Sequence, residues 1–322
     1  MSRNVEGGHE ELDIIVERVA TESTGVVSLT LAAADGGTLP DWHPGAHIDL
    51  VLPGDIVRQY SLCGRPDAST WRVGVLREPV SRGGSVYVHD HVQDGDRILV
   101  RGPRNNFPLV EAPSYLFIAG GIGVTPMLPM LRAVHASGAP WRFLYGGRTR
   151  EGMAFVDEVL SHGQSAVLWP EDTHGFLPLR AEIDAAGPAA AVYCCGPEPL
   201  IAAVEQTCVT LARPGPFVER FAPKPVGTDG PGVDRAFTVV LNRSGDRYDV
   251  PVGQSIIEVL EGHGLSVDSS CQEGVCGTCE TRVVAGTVDH RDSLLTDDEK
   301  AENEFMMICV SRATSNELVL DM

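Results

Sequence analysis

The sequence predicts a multidomain α/β plus β protein, and three changes of pattern along its 322 residues predict it. Residues 1–109 hold short β-rich segments separated by turn residues, and residues 110–224 alternate strands with helices. Residues 235–322 hold a smaller mixed pattern, after a segment rich in Pro and Gly at 225–234 that we interpret as a linker. At roughly 100–200 residues per domain, the length also fits two or three domains.

The first domain is predicted to be a small antiparallel β-barrel. Six short segments of strand-forming residues are separated by turns such as Asp35-Gly36-Gly37 and Asp94-Gly95-Asp96. The segments are LDIIVERVA, VVSLTLAAA, HIDLVLP, QYSLCGR, WRVGVLRE and RILVRGP. A helix is expected to start near Arg82-Gly83-Gly84-Ser85, where glycines let backbone amides approach an anion.

The second domain is predicted to contain a parallel sheet. Strands are expected at 115–119, 142–145, 166–169 and 191–195, with helical segments between them. The first strand runs into a glycine-rich turn at 120–123 and then a helix. A strand, a glycine turn and a helix in that order form the context that phosphate binding requires.

The third domain is predicted to be a small α+β sheet crossed by a helix. A hairpin is expected at 237–241 and 247–250, and later strands at 305–310 and 318–320. Ser255 with Glu258, and Thr296 with Glu299, have the spacing of capping boxes, which mark helix starts.

Charge excludes some classes of partner. The formal net charge is −19, which argues against binding to nucleic acid or to an anionic membrane surface. Residues 235–322 carry seven Lys or Arg against sixteen Asp or Glu, a field that would steer a basic protein partner or simply confer solubility. With no apolar run of about 20 residues and no signal-like N-terminus, the sequence predicts a cytoplasmic protein.

Four of the eight cysteines have informative spacing. Cys271, Cys276 and Cys279 are separated by four and two residues, and Cys309 follows after 29 more. Structural zinc more often uses paired C-x₂-C knuckles, and only one such pair is present. The alternatives of zinc or reactive thiols are therefore weaker than an iron–sulfur cluster. The other cysteines lack such spacing and are expected to be small buried hydrophobes, with Cys195 as a possible exception.

The segment 270–279, SCQEGVCGTC, resembles the cluster loop of plant-type ferredoxins. The resemblance implies a 2Fe-2S cluster held by Cys271, Cys276, Cys279 and Cys309. It also implies a β-grasp fold for the third domain, which agrees with the order of elements.

The segment Arg58-Gln59-Tyr60-Ser61 resembles the R-x-Y-S motif of ferredoxin-reductase-type flavoproteins. The resemblance implies that Tyr60 packs on a flavin, that Ser61 hydrogen-bonds to it, and that Arg58 binds its phosphate, for which a guanidinium is well suited. The alternative is an ordinary strand with exposed Arg and Ser. The flavin site is expected to include further residues on nearby segments: Gly74, Val75, Leu76, Gly83, Gly84, Ser85 and Thr125.

The turn at 120–127, GGIGVTPM, resembles the G-G-x-G-x-T-P turn of the same flavoproteins, which accepts the nicotinamide. Gly120, Gly121, Gly123 and Thr125 are therefore expected to bind NAD. Cys195-Gly196-Pro197 resembles the C-G-P segment of these proteins, whose Cys faces flavin and nicotinamide. The hydride-transfer site is expected at Thr125, Cys195 and Ser61, with no residue acting as a general acid or base.

The order of domains, over essentially the whole chain, resembles the phthalate dioxygenase reductase family. The resemblance implies FMN rather than FAD, NADH as donor, and a Rieske-type oxygenase as electron acceptor. It also implies that Phe221 covers the flavin; the alternative is that Phe221 is a linker anchor packed in the core. NADH accords with Asp172, which would repel a 2′-phosphate, although Arg148 and Arg150 would attract one.

NADH gives two electrons at once as hydride, whereas a 2Fe-2S cluster accepts one electron at a time. A flavin can hold the second electron between these steps, which explains why the three parts would occur together. The linker would let the third domain alternate between flavin and partner, and the chain is expected to be a monomer. Two alternatives stay open: another acceptor such as a cytochrome P450, or a non-enzymatic redox-sensing module.

Overall fold

The computed structural model describes residues 11–54, 56–78, 83–224 and 234–322. Contacts divide the chain into two compact units, Met1–Glu219 and Arg220–Met322. Arg82 and nearly all of the linker predicted at 225–234 lie outside the described residues, so the linker and the three domain boundaries stay predictions. Within the described ranges, no helix combines the length and the apolar character needed to cross a membrane.

Six antiparallel strands form the first sheet of unit 1, in the order β4-β3-β6-β1-β2-β5. A bridge between Leu62, directly after β4, and Val73 of β5 joins the two outer strands, and the predicted antiparallel barrel is confirmed. The strands and the helix that follows β5 are β1 (Glu11–Ser23), β2 (Val26–Ala33), β3 (Ala46–Leu52), β4 (Ile56–Ser61), β5 (Trp71–Leu76), α1 (Gly84–His91) and β6 (Arg97–Asn105). Apolar side chains such as Leu29, Ile48 and Trp71 fill the interior.

Five parallel strands form the second sheet of unit 1, in the order β11-β10-β7-β8-β9. Its elements are β7 (Ser114–Gly120), α2 (Met127–Ser137), β8 (Trp141–Gly147), α3 (Val156–Leu160), β9 (Ala166–Pro170), α4 (Glu171–His174), α5 (Leu179–Ala185), β10 (Ala190–Cys195), α6 (Glu198–Thr210) and β11 (Phe217–Glu219). The predicted alternation is confirmed. β11 was not predicted, because three residues carry no periodicity, and the short helices α4 and α5 were not predicted either.

A buried carboxylate joins the two sheets of unit 1. Glu158 on α3 accepts a hydrogen bond of 2.6 Å from Arg72 on β5 and also pairs with Arg132 on α2. Arg132 donates in turn to the carbonyl of Gly64, at 2.5 Å. All three charged side chains are about three-quarters buried. The barrel and the parallel sheet are thereby held in one arrangement.

Replacing Glu158 with Gln should lower the free energy of unfolding of unit 1 by about 2 kcal/mol, because two partly buried guanidinium groups lose their shared counter-charge. All four tryptophans lie in unit 1, so tryptophan fluorescence during urea unfolding reports on it. The control is Asp67→Asn, which breaks the exposed pair with Arg65 and should leave the urea midpoint unchanged. Equal midpoints for Glu158→Gln and wild type would contradict the prediction.

Unit 2 has a five-stranded sheet in the order β13-β12-β18-β14-β16, with β12 and β18 parallel and the other neighbours antiparallel. A helix, α7, packs its apolar side chains on the sheet. The elements are β12 (Phe237–Leu241), β13 (Arg247–Val250), α7 (Ile256–Gly262), β14 (Glu280–Ala285), β15 (Val288–Asp289), α8 (Asp297–Glu302), β16 (Phe305–Met307), β17 (Arg312–Ala313) and β18 (Glu317–Leu320). Both predicted capping boxes are present, at the starts of α7 and α8.

The strand predicted at 305–310 was wrong in its second half. β16 ends at Met307, and Cys309 lies in the turn that follows. The amides of Val310 and Ser311 both donate to the carbonyl of Met307, at 3.2 and 2.9 Å, and so turn the chain. This turn, rather than a rigid strand, presents the Cys309 thiol.

Candidate functional site

The four cysteines with informative spacing form two adjacent pairs in unit 2. Cys271 is hydrogen-bonded to Cys276, and Cys279 to Cys309. All four are buried. Within the described part of the chain, no three His, Cys, Asp or Glu side chains converge on one point that would suit a single ion. The two adjacent pairs of thiols fit two irons, each with two protein ligands.

The loop 270–279 supplies hydrogen bonds to these sulfurs. The amide of Glu273 lies 3.3 Å from the Cys271 Sγ, and the amide of Gly274 donates to Cys309. The hydrogen bond within each pair lowers the pKa of one thiol, Cys276 or Cys309, and raises the pKa of its partner, Cys271 or Cys279. Four cysteine sulfurs are the donor set of a plant-type 2Fe-2S cluster, so these residues fit one.

Gly274 is required by the shape of the loop. Its φ is +70°, and a Cβ at this position would lie 2.6 Å from Val310 Cγ2 and 3.0 Å from the Cα of Asp292. A side chain would push the loop away from the turn that carries Cys309. The glycine at position 274 of the cysteine loop therefore has a steric cause.

The R-x-Y-S segment is β4 of the barrel, and its Arg58 lies against the first turn of α1. A Cβ at Gly84 would lie 2.4 Å from Arg58 Cγ and 2.9 Å from its Nε. Gly83, with φ of +94°, is the N-cap of α1, and Ser85 Oγ accepts from the amide of Glu78 at 3.2 Å. A guanidinium beside a helix N-terminus fits an anion such as a flavin phosphate.

Tyr60 and β5 form the adjoining surface. Tyr60 is half-buried against the barrel core, and burial raises the pKa of its hydroxyl to about 12. Val75 is fully buried in that core, and Leu76 is half-buried. Gly74 lets a neighbouring segment approach, because a Cβ there would lie 2.9 Å from Thr125 Cγ2.

The glycine turn after β7 packs directly on the segment after β10. A Cβ at Gly123 would lie 2.2 Å from the carbonyl oxygen of Cys195. Gly120 and Gly196 are equally close, since a Cβ at Gly196 would lie 2.9 Å from Gly120 Cα. A Cβ at Gly120 would also lie 2.8 Å from Pro197 Cδ, whereas one at Gly121 would meet no atom within 4 Å. The two segments that the sequence assigned to NAD thus meet at the carboxyl ends of adjacent strands.

Glu219 is a site residue that sequence reasoning missed. Ser61 Oγ donates to its Oε2 at 3.2 Å, and Glu219 pairs in register with Cys195 across β11 and β10. Burial raises the pKa of Glu219 to about 8. Burial, and then the Glu219 carboxylate, raise the pKa of Cys195. The only signal in the sequence was an acidic residue after two apolar ones, where the last parallel strand ends.

The raised pKa of Glu219 should make unit 1 lose stability as pH rises. The folded carboxyl stays protonated while the unfolded one ionises above its ordinary value of 4.5, so the free energy of unfolding falls up to about pH 8. The slope is roughly 1.4 kcal/mol per pH unit. Glu219→Gln removes this contribution, and its urea midpoint, followed by tryptophan fluorescence, should fall less over the same range. Identical slopes for variant and wild type would disprove it.

Two predicted ligand residues lie on exposed segments. Asp172 lies in α4, and its amide donates to the carbonyl of Arg148 at 3.1 Å, so the segments after β8 and β9 are neighbours. Phe221 lies in unit 2 and is 41% exposed. The alternative that Phe221 is packed in a core is therefore wrong.

Comparisons with known proteins agree with both parts of this site. Residues 239–314 match the family model of the 2Fe-2S iron-sulfur cluster binding domain. The chain is 41% identical to the phenoxybenzoate dioxygenase subunit beta of Ectopseudomonas oleovorans, over 95% of this chain and 96% of that one. A solved phthalate dioxygenase reductase, described as modular for electron transfer from pyridine nucleotides to [2Fe-2S], is 36% identical with a TM-score of 0.69, covering 97% and 98% of the two chains.

A second solved structure, an intact type IV self-sufficient cytochrome P450 monooxygenase, is 36% identical with a TM-score of 0.89. It covers all of this chain, but this chain spans only 43% of that longer protein. The fold and the site together define an iron–sulfur oxidoreductase of the electron-transfer class. The chain belongs to the phthalate dioxygenase reductase family.

Proposed function

We propose that this chain carries electrons from NADH, through FMN and a 2Fe-2S cluster, to a separate Rieske-type oxygenase that hydroxylates or demethylates aromatic compounds. One observation supports it above the others: the pairs Cys271–Cys276 and Cys279–Cys309 occur in one chain with a hydrogen bond from Ser61 to Glu219, the residue that lies opposite Cys195. The family supports it too, since relatives are named as parts of dioxygenase systems.

The barrel residues would hold the flavin. Arg58 and the N-terminal turn of α1, with Gly83, Gly84 and Ser85, supply positive charge and amides for the phosphate. Tyr60 and the backbone of Gln59 and of 74–76 would line the ring, and Phe221 is proposed to cover it. Membership of the phthalate dioxygenase reductase family favours FMN over FAD.

The parallel sheet would place the nicotinamide on that flavin. Gly120, Gly121 and Gly123 would leave room for the nucleotide, and Thr125, Cys195 and the segment Gly196-Pro197 are proposed to contact its ring. Because burial raises its pKa to about 8, we propose that Glu219 stays protonated beside Ser61 at neutral pH. It then adds no negative charge to the pocket. Asp172 would repel a 2′-phosphate, and so we propose NADH rather than NADPH; comparing kcat/KM for the two donors tests the choice.

When bound, the flavin and the cluster together convert a two-electron donor into one-electron steps. The chain needs no acid or base for this, and its own task is to position and shield the groups. Sizing by light scattering should give a monomer.

A cytochrome P450 acceptor is the second candidate, favoured by the fused monooxygenase that contains a domain set similar to this whole chain. The test is to mix the purified chain and NADH with a Rieske oxygenase component or with a cytochrome P450, each from the source organism, and to measure acceptor reduction. Faster reduction of the Rieske centre supports the proposal. Preferential reduction of the haem would replace the Rieske partner with a cytochrome P450.

A further inference from the structure

Four polar side chains lie together on one face of the barrel, behind Ser61. His47 of β3 is directly opposite both Ser61 of β4 and Arg104 of β6. Asp49, two residues after His47 and therefore on the same face, is opposite Gln59. Directly opposed residues of antiparallel strands have Cβ atoms about 5 Å apart. We name His47, Asp49, Gln59 and Arg104 the strand cluster.

The strand cluster is buried and incompletely hydrogen-bonded. His47 and Asp49 are fully buried, and Arg104 donates to Asp49 Oδ2 at 2.7 Å. Several further buried atoms find no hydrogen-bond partner among the described residues: both ring nitrogens of His47, Asp49 Oδ1, Gln59 Oε1, and Nε and Nη1 of Arg104. A buried polar atom without a hydrogen-bond partner destabilises the fold, and six such atoms in one place are exceptional. These unpaired atoms point to a small polar molecule held between them.

Water is the molecule that fits these atoms. The arginine atoms are donors, while the Asp49 and Gln59 oxygens are acceptors. An anion would face Asp49 and a cation would face Arg104, so a neutral molecule that both donates and accepts is favoured. Buried waters typically make about three hydrogen bonds to such groups.

The strand cluster adjoins the reactive groups. Ser61, the direct neighbour of His47, is hydrogen-bonded to Glu219, whose other oxygen, Oε1, also has no partner among the described residues. Burial, and then the charge of Arg104, lower the pKa of His47 to about 3. The ring is therefore neutral, with one nitrogen donating and the other accepting.

We propose that His47 is a positioning residue, which through ordered water held by the strand cluster orients the Ser61 hydroxyl and the Glu219 carboxyl at the hydride-transfer site. The inference rests on the proposed function. It gives a role to His47, which lies on β3 and so outside the R-x-Y-S motif of β4.

The test compares His47→Leu, which cannot hydrogen-bond, with His47→Gln, which keeps one donor and one acceptor. Flavin reduction by NADH is followed in a stopped-flow instrument. His47→Leu should slow it roughly tenfold at saturating NADH, because Ser61 and Glu219 lose their orientation, with the Kd for NADH unchanged. His47→Gln should stay within about twofold. The control is His43→Leu, which changes an exposed histidine. Asn105 donates a hydrogen bond to the backbone carbonyl of His43, which the substitution keeps, so this variant should match wild type. A folded, flavin-loaded His47→Leu with the wild-type rate would overturn the proposal.

A second measurement holds even if His47→Leu does not fold. A high-resolution crystal structure of the wild-type holoenzyme should show ordered water hydrogen-bonded to the His47 ring and to Asp49 Oδ1. Clear density without such water would overturn the inference. Wild-type protein whose flavin NADH does not reduce would instead refute the proposed function, so the two failures are distinguishable.

Discussion

Cys279→Ser should lose the 2Fe-2S cluster and with it the NADH-dependent reduction of cytochrome c, a one-electron acceptor. Cys279 belongs to one of the two thiol pairs and is buried next to Cys309. A serine hydroxyl is a poor substitute for a thiolate at iron. Flavin reduction by NADH should continue, because the residues proposed for it, apart from Phe221, lie in unit 1. Iron analysis and the visible spectrum measure the loss.

The matched control is Cys208→Ser, which changes a buried cysteine on α6 that packs in the apolar layer of the parallel sheet. That variant should keep its iron and its activity towards cytochrome c. Full iron content and unchanged cytochrome c reduction in Cys279→Ser would show that Cys279 is not a ligand.

Gly123→Ala should reduce the rate of flavin reduction by NADH by at least about 100-fold. The added Cβ would lie 2.2 Å from the Cys195 carbonyl oxygen, a backbone atom that cannot rotate away. The turn must therefore move away from β10, which would disrupt the proposed nicotinamide subsite. Stopped-flow measurement of flavin bleaching over a range of NADH concentrations separates weakened binding from slower transfer.

Gly215→Ala serves as the control, because a Cβ there meets nothing within 4 Å and its φ is not positive. It should behave as wild type. Wild-type kinetics for Gly123→Ala would mean that the close packing of the two segments is not needed for hydride transfer.

Particular residues show how much of the structure could be predicted from the sequence. The spacing of Cys271, Cys276 and Cys279 predicted a tight loop, because local spacing alone restricts how three thiols can meet. Cys309 was placed wrongly in a strand, since an apolar run does not reveal that two amides turn back to Met307. Local patterns also predicted both capping boxes and the glycine turn.

Long-range contacts were beyond the sequence. Glu219 lies 158 residues from Ser61 in the chain, and no local pattern joins them. The alternation of His47 and Asp49 looks like a solvent-facing side of a strand, whereas both are fully buried. Asp172 and Phe221 were assigned from resemblance alone, and their ligand roles stay proposals.

The most direct test of the account is an anaerobic titration of the purified protein with NADH, combined with iron, zinc and flavin analysis. We expect two irons and one flavin per chain. NADH alone should bleach the flavin and give the electron paramagnetic resonance signal of a reduced 2Fe-2S cluster. Zinc in place of iron, or protein without flavin that NADH leaves unchanged, would contradict the account.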